Sequence, residues 1–342
     1  MHRRTIALYC LAGIAIMLMS GRGHSSVSGD HFEHTVKKGE TVSLLCIQYY
    51  GYWSRPLGEA FMALNPSVTD INVIHVGQKL TMRRALSGTS VAKRVPTRET
   101  ATATPPPEEE LFRRRIDATQ GVVTYVTGKA TLLPADGSGQ RTLNPNTVVH
   151  PGDVIATGGD GRVELIVNRE SVVRMRENTR LSIDELRNNE GQSGRTRVGF
   201  SLGSVWAKVR NFKDQISRFE LELPTALAGV HGTVYQTTLN PDHSADVKVY
   251  EGAVAVRGKD ERGGKTGSGA PIEEIGGPAE VSGPAEVSME AWVQMVRTMQ
   301  QLSVDPAGKP SQPRSFRKNP DDDWEQWNEE RDRRIAELFT EN

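Results

Sequence analysis

Residues 34–51 read HTVKKGETVSLLCIQYYG, residues 59–68 read EAFMALNPSV, and residues 71–82 read INVIHVGQKLTM. An extended run opens the first segment, a helical pattern follows it, and an extended run closes the last segment. These three segments predict a small domain of their own, with a strand at each end and helices between the strands.

The turn and cap residues place the elements of this small domain. The run 34–36 meets a turn at 37–39, and a helix is expected to begin at Glu40–Thr41 with an apolar side formed by Leu44, Leu45 and Ile47. A second helix over 57–64 is expected to stop at Asn65–Pro66, because proline cannot continue a helix. A turn at Gly77–Gln78 leads into the final strand. The predicted order is therefore βααβ.

This outline resembles the LysM domain, a module that binds glycans containing N-acetylglucosamine, chiefly peptidoglycan. The resemblance spans residues 33–83 and implies a shallow groove between the loop after the first strand and the loop before the last. There, exposed amides meet the acetamido group and apolar side chains cover the sugar. The residues at the corresponding positions are Gly39, Glu40, Thr41, Val42, Asn65, Pro66, Asn72, Val73 and Ile74. Glu40 stands where the family usually has Asp and is expected to cap the helix. The alternative is that Val42, Ile71 and Ile74 only fill the small core.

The N-terminus has the pattern of an export signal. Arginines lie at positions 3 and 4, and residues 5–20 form an uncharged, mostly apolar run. Crossing a hydrocarbon core takes about 20 residues of helix, so a signal peptide over 1–28 is favoured over a permanent anchor. The expected location is outside the cytoplasm, in the periplasm or cell envelope and associated with the wall. After cleavage Cys46 is the remaining cysteine, and we expect it to be buried as a small hydrophobe.

The composition changes at residue 85. Residues 85–116 include TATPPPEEE and carry too few apolar side chains to form a core. We predict a disordered linker over this range.

Residues 117–258 show a period of two. Short runs such as VVTYV, RVELIV, SVVRM and DVKVY recur between Gly, Asn, Asp and Pro, which is typical of an all-β antiparallel domain. In RVELIV, Val163, Leu165 and Val167 alternate with Arg162, Glu164 and Ile166, which predicts a half-buried strand.

The order of these signals resembles the FecR domain. The resemblance is carried by residues 150–183, by GFSLGSVWAKV at 199–209 and by LPTALAGVHGTVYQT at 223–237. FecR proteins relay an outside signal to a cytoplasmic sigma factor through a cytoplasmic domain that precedes a membrane helix. Only four residues precede the apolar run here, so we expect an extracytoplasmic β module whose ligand is unassigned.

The C-terminal part is predicted to be a Gly-rich loop followed by helices. The loop covers 259–288 and holds GPAEVS twice, as a pair of short strands or a flexible repeat. Within the tail, 289–342, Trp292, Met295, Val296 and Met299 follow the spacing of an amphipathic helix over 289–302. A second helix is predicted over 321–338, where Trp324 and Trp327 either dock on the β domain or recognise a partner.

No set of residues indicates catalysis, a metal or a cofactor. His31 and His34 lack the HExxH spacing of zinc sites, and His150, His231 and His243 are isolated. Glu164, Glu220 and Glu222 are expected at exposed strand positions, although a glycosidase built only on carboxylates stays open. Lys plus Arg (42) balance Asp plus Glu (42), which gives no basis for a nucleic-acid partner.

The predicted fold is multidomain: a small βααβ LysM module, an all-β antiparallel FecR-like domain and C-terminal amphipathic helices. The expected function is that of a non-catalytic envelope protein. Its LysM module binds peptidoglycan, and its FecR-like domain or C-terminal helices contact an envelope partner. The alternative is a FecR-type signalling component that acts through a membrane partner.

Overall fold

The structure is a computed structural model that describes residues 30–85, 111–112, 120–168, 171–187, 195–209, 218–224, 226–230, 232–258 and 293–340. The predicted signal peptide (1–28), the predicted Gly-rich loop (259–288) and most of the predicted linker lie outside these ranges. His231 does so too.

The first domain has the βααβ order: β1 (His31–Thr35), α1 (Val42–Tyr50), α2 (Arg55–Leu64) and β2 (Lys79–Arg83). β1 and β2 pair antiparallel. Hydroxyl caps begin both helices, since Thr41 accepts from the Leu44 amide and Ser54 accepts from the Leu57 amide. The sequence suggested that Glu40 caps α1, but it does not. Its carboxylate accepts from the Lys37 amide and stabilises the preceding turn instead.

The second domain is built from strands, which are mostly antiparallel. They are β3 (Gly121–Thr127), β4 (Ala130–Leu133), β5 (Arg141–Thr142), β6 (Val148–Val149), β7 (Val154–Thr157), β8 (Arg162–Val167), β9 (Ser171–Met175), β10 (Arg180–Arg187), β11 (Arg195–Lys208), β12 (Arg218–Glu222), β13 (Ala226–Val230), β14 (Val234–Leu239), β15 (Ala245–Glu251), β16 (Ala253–Gly258), β17 (Val293–Arg297), β18 (Gln300–Val304) and β19 (Arg314–Ser315). The final element is helix α3 (Asp323–Thr340).

The long strand β11 joins two rows of strands. Its first half pairs with β10 and β12, and its second half pairs with β9 and β14. Gly203 marks the change of partners with a φ of 96°, in the left-handed region that favours glycine. Apolar side chains from both rows, such as Leu165, Ile155 and Leu181, fill one core.

The predicted helix over 289–302 is wrong. Its described part is a hairpin, in which β17 adds to β16 and β18 adds to β15. Met299 lies in the turn with a φ of 57°, and Val296 is buried while Met295 is exposed. The apolar residues do follow a helical spacing, but this local preference is weaker than the stabilisation gained when the segment pairs with strands of the sheet. The second predicted helix does correspond to a helix, α3.

Strand β8 is buried on both faces, not on one as predicted. Ile166 and Glu164 point away from the central core, yet both are fully buried. Ile166 belongs to a second core that it shares with the first domain, and Glu164 lies beneath α3. The second core also contains Leu111 and Phe112, so these two residues of the predicted linker are packed. Ile166 and Glu164 are buried because the first domain and α3 cover the outer face of the sheet.

Candidate functional site

The loop after β1 is held from inside the first domain. The Glu40 carboxylate lies 2.8 Å from His34 Nε2 and is buried, Val42 is fully buried, and Thr41 caps α1. Gly39 has a φ of 80°, and its backbone carbonyl accepts a hydrogen bond from Arg331. Glu40 and Val42 therefore shape the loop, and their side chains offer little surface to a ligand.

Asn65 also has a structural role. Its side-chain amide donates to the carbonyls of Phe61 and Thr81, and its oxygen accepts from the Thr81 amide. These bonds tie the end of α2 to β2 and leave the side chain buried. Pro66, the next residue, is exposed.

The loop before β2 presents an exposed, partly apolar surface. Val73 is 50% exposed and Val76 is 68% exposed, whereas Ile74 is half-buried against the core. Asn72 is exposed, and its backbone amide donates to the Asp70 carboxylate in a tight turn. Of the nine predicted residues, those of this loop offer the most accessible side-chain surface.

Asn146 bridges the two loops from the second domain. Its Oδ1 accepts from the Ser43 amide at 2.8 Å, and its Nδ2 donates to the Ile71 carbonyl and to Asn72 Oδ1, each at 3.0 Å. The carboxamide therefore lies in the cleft between the start of α1 and the 71–72 loop. The sequence showed only an Asn-Pro-Asn turn here, and nothing in that turn indicated a contact with the first domain.

A second carboxamide fastens the two domains beside this cleft. Gln120 accepts from the Trp53 amide at 2.9 Å through Oε1 and donates to the Trp53 carbonyl at 2.6 Å. The Trp53 indole in turn donates to the Asn146 carbonyl at 2.7 Å. Because apolar side chains of both domains share a core beneath these bonds, the domains are docked and not merely tethered.

Helix α3 reaches the same module from another side. Arg331 donates to the Gly39 carbonyl at 2.7 Å, and Arg334 donates to the Lys38 carbonyl at 2.8 Å. The opening turn of the α3 segment is anchored on the sheet by Trp324, which is fully buried and stacks on Trp327 with 5.2 Å between ring centroids. The tryptophans thus dock on the β domain, which was the first of the two alternatives.

A buried charge network joins α3 to β8 and β9. Glu164 is paired with Arg174, with 2.8 Å between Oε2 and Nε, and with Arg331, with 3.0 Å between Oε2 and Nε. Thr124 donates to the second oxygen at 2.8 Å. Burial alone would raise the pKa of the Glu164 carboxyl, but the guanidinium groups of Arg331 and Arg174 outweigh it and lower that pKa to about 2. Glu164 was expected to be exposed; instead it holds the C-terminal helix.

Two further candidates from the sequence, Cys46 and Glu220, are buried. Cys46 is buried as predicted, and burial raises the pKa of its thiol. Glu220, also expected to be exposed, is buried against Arg197 at 3.2 Å. Within the described ranges, no group of three or more His, Cys, Asp or Glu side chains could hold a metal ion. Among those same residues, no helix has both the length and the apolar character needed to cross a bilayer.

Comparison with known families supports the two-part organisation. The sequence matches the LysM domain over residues 34–83 and the family described as FecR protein over residues 153–255. The chain therefore carries a LysM domain followed by a FecR domain. Both are non-catalytic domain families typical of envelope proteins, and LysM is a glycan-binding family.

Comparison with whole proteins adds little. Two crystal structures of a candidate anti-sigma factor from Parabacteroides distasonis overlap this chain with a TM-score of 0.32 and identities of 15% and 14%. Each overlap covers 47% of this chain and 59% of that chain, so this chain spans less than two thirds of their length. No curated protein matches the sequence.

Proposed function

We propose that this protein is a non-catalytic, exported envelope protein that binds peptidoglycan through its LysM domain. In this proposal the FecR domain presents its surface to a ligand or an envelope protein. The observation that carries the glycan-binding part is the exposed 72–76 loop of the LysM domain, where Val73 and Val76 are accessible next to the Asn72 amide.

The chemistry of that loop suits a sugar ring. Carbohydrate sites combine apolar surface, which covers the C–H faces of the ring, with a few fixed polar groups that orient it. Val73 and Val76 supply the apolar surface, Asn72 supplies an amide, and the buried bonds of Asn65 tie β2, which follows the loop, to the end of α2. In this assignment Glu40, Val42 and Asn65 shape the site, and Pro66, Asn72, Val73 and Ile74 contact the glycan.

The test is sedimentation of the full chain with insoluble peptidoglycan. Deleting residues 34–82 is unsuitable, because it would expose Val122, Ile166 and Val172 of the shared core. We instead compare Val73→Glu with the matched control Val293→Glu, since Val293 is 61% exposed on β17, a strand of the other domain.

The wild-type chain and Val293→Glu should sediment, and Val73→Glu should reduce the bound fraction several-fold, because it places a charge against the sugar face. A chain that stays in the supernatant would overturn the proposal. Sedimentation that Val73→Glu leaves unchanged would overturn the assignment of the glycan to this loop.

The second part of the proposal rests on the FecR match. Capture of envelope proteins on the immobilised full chain, followed by their identification, tests it. Recovery of the same proteins by a chain of unrelated fold would count against a specific partner.

A further inference from the structure

We propose that the FecR domain, taken together with the strands β3–β6 that precede its matched residues 153–255, closes the glycan-binding cleft of the LysM domain in cis. It does so by seating the Asn146 carboxamide where an acetamido group of the glycan would bind. This inference rests on the proposed function. It adds that the form with the Asn146 carboxamide in the cleft is the closed form, and that glycan and Asn146 compete for the same backbone groups.

The bonds of Asn146 are those that an acetamide would make. An acetamido group has one carbonyl acceptor and one N–H donor, and a primary carboxamide offers the same acceptor with two donors. In the closed cleft the acceptor takes the Ser43 amide, and the donor meets the Ile71 carbonyl. The Ser43 amide lies in the first turn of α1, where backbone N–H groups have no partner within the helix. The cleft therefore presents one backbone donor and one backbone acceptor, and Asn146 satisfies both.

The FecR domain presents this side chain in a fixed position. Asn146 has a φ of 67°, a left-handed conformation that few residues other than Gly and Asn adopt readily. Its backbone amide donates to the Val123 carbonyl at 2.8 Å, and its carbonyl accepts from the Trp53 indole. Because the backbone is held on both sides, the carboxamide enters the cleft without further ordering.

Helix α3 supports the closed form from the other side of the β1–α1 turn. Arg331 and Arg334 donate to the Gly39 and Lys38 carbonyls, which keeps this turn against the FecR domain. A ligand that binds only the open cleft then has an apparent affinity reduced by the fraction of molecules that are open. Loss of Asn146 alone should leave the domains joined, because the Gln120–Trp53 pair and the shared core remain.

The test compares the wild-type full chain with Asn146→Gly and with the matched control Asn178→Gly. Glycine keeps the left-handed backbone and removes the carboxamide. Asn178 is also a left-handed asparagine of the FecR domain, with a φ of 54°, but it is exposed. Binding of a soluble N-acetylglucosamine oligomer is measured by calorimetry, with the deacetylated oligomer as a second ligand. Hydrogen exchange at the Ser43 amide is measured without ligand.

Asn146→Gly should bind the acetylated oligomer roughly 10-fold more tightly than the wild type, because two or three hydrogen bonds no longer compete. It should bind the deacetylated oligomer no better. The Ser43 amide should exchange faster in Asn146→Gly, and Asn178→Gly should behave as wild type in every assay.

Equal affinity of all three proteins for the acetylated oligomer would overturn the closed-cleft proposal and leave glycan binding intact. Unchanged exchange at Ser43 in Asn146→Gly would overturn it as well. No binding by any of the three proteins would overturn the proposed function, and the closed-cleft proposal with it.

Discussion

Arg331 donates a hydrogen bond to the backbone carbonyl of Gly39 at 2.7 Å, although 292 positions separate the two residues in the chain. The same guanidinium group pairs with the buried Glu164 carboxylate. One side chain of the C-terminal helix therefore ties the LysM domain to the sheet of the FecR domain. The consequences for stability can be tested at each end of this connection.

Gly39→Ala should destabilise the protein more than Gly77→Ala does. Both glycines have φ near 80° and lie in turns of the LysM domain, so both alanines carry the conformational cost of about 1 kcal/mol. A Cβ at Gly39 would also collide with Arg331, whereas a Cβ at Gly77 meets nothing within 4 Å. Urea denaturation gives both free energies of unfolding, and equal losses would show that the Arg331 contact contributes nothing.

Arg331→Ala should lower the free energy of unfolding by about 3–5 kcal/mol, because it leaves part of the buried Glu164 charge unpaired. Arg334→Ala removes the neighbouring bond to the Lys38 carbonyl at the surface and should cost less than about 1 kcal/mol. Both values come from chemical denaturation followed by tryptophan fluorescence. A loss in Arg331→Ala as small as that in Arg334→Ala would contradict a stabilising network.

Glu164 should make stability depend on acidity. Its folded pKa is about 2, below the ordinary value of 4.5, so the unfolded chain takes up the proton first as the pH falls. The stabilisation is complete above pH 4.5 and is lost progressively between 4.5 and about 2. The difference in melting temperature between wild type and Glu164→Gln should therefore shrink from pH 6 to pH 3.

The control for this titration is Glu59→Gln. Glu59 forms an exposed pair with Arg55, so its replacement should change the melting temperature little. A difference between wild type and Glu164→Gln that stays constant across this range would refute the role assigned to the buried carboxylate.

Phe112→Ala should cost about 3–5 kcal/mol, the usual loss for removing a buried aromatic side chain. Phe112 is 1% exposed and packs edge-on against Tyr50, with 5.4 Å between ring centroids. Phe32→Ala is the comparison, since Phe32 is only half-buried against Tyr49, and it should cost less. The order of the two unfolding free energies decides whether residues 111–112 belong to the fold or to the linker.

Local sequence patterns were sufficient for the elements whose causes are local. Asn65–Pro66 end α2, and the period of two between Gly and Asn turns marks the strands of the FecR domain, whereas the cap of α1 is Thr41 and not Glu40. Local patterns failed at 289–302. The spacing of the apolar residues there is compatible with a helix and with a hairpin, and pairing with the strands β15 and β16 decides for the hairpin.

The sequence by itself determined the two domains, their order and the antiparallel character of the larger one, because caps, turns and periodicity act over a few residues. Only the tertiary structure decided that the domains are docked. It also decided that Glu164 is buried under α3 and that Asn146 lies between the two loops of the LysM domain. These contacts join residues more than 70 positions apart. The side chains that make these contacts are ordinary polar ones. A local sequence pattern predicts that such side chains are exposed, because it contains no information about the distant surface that covers them.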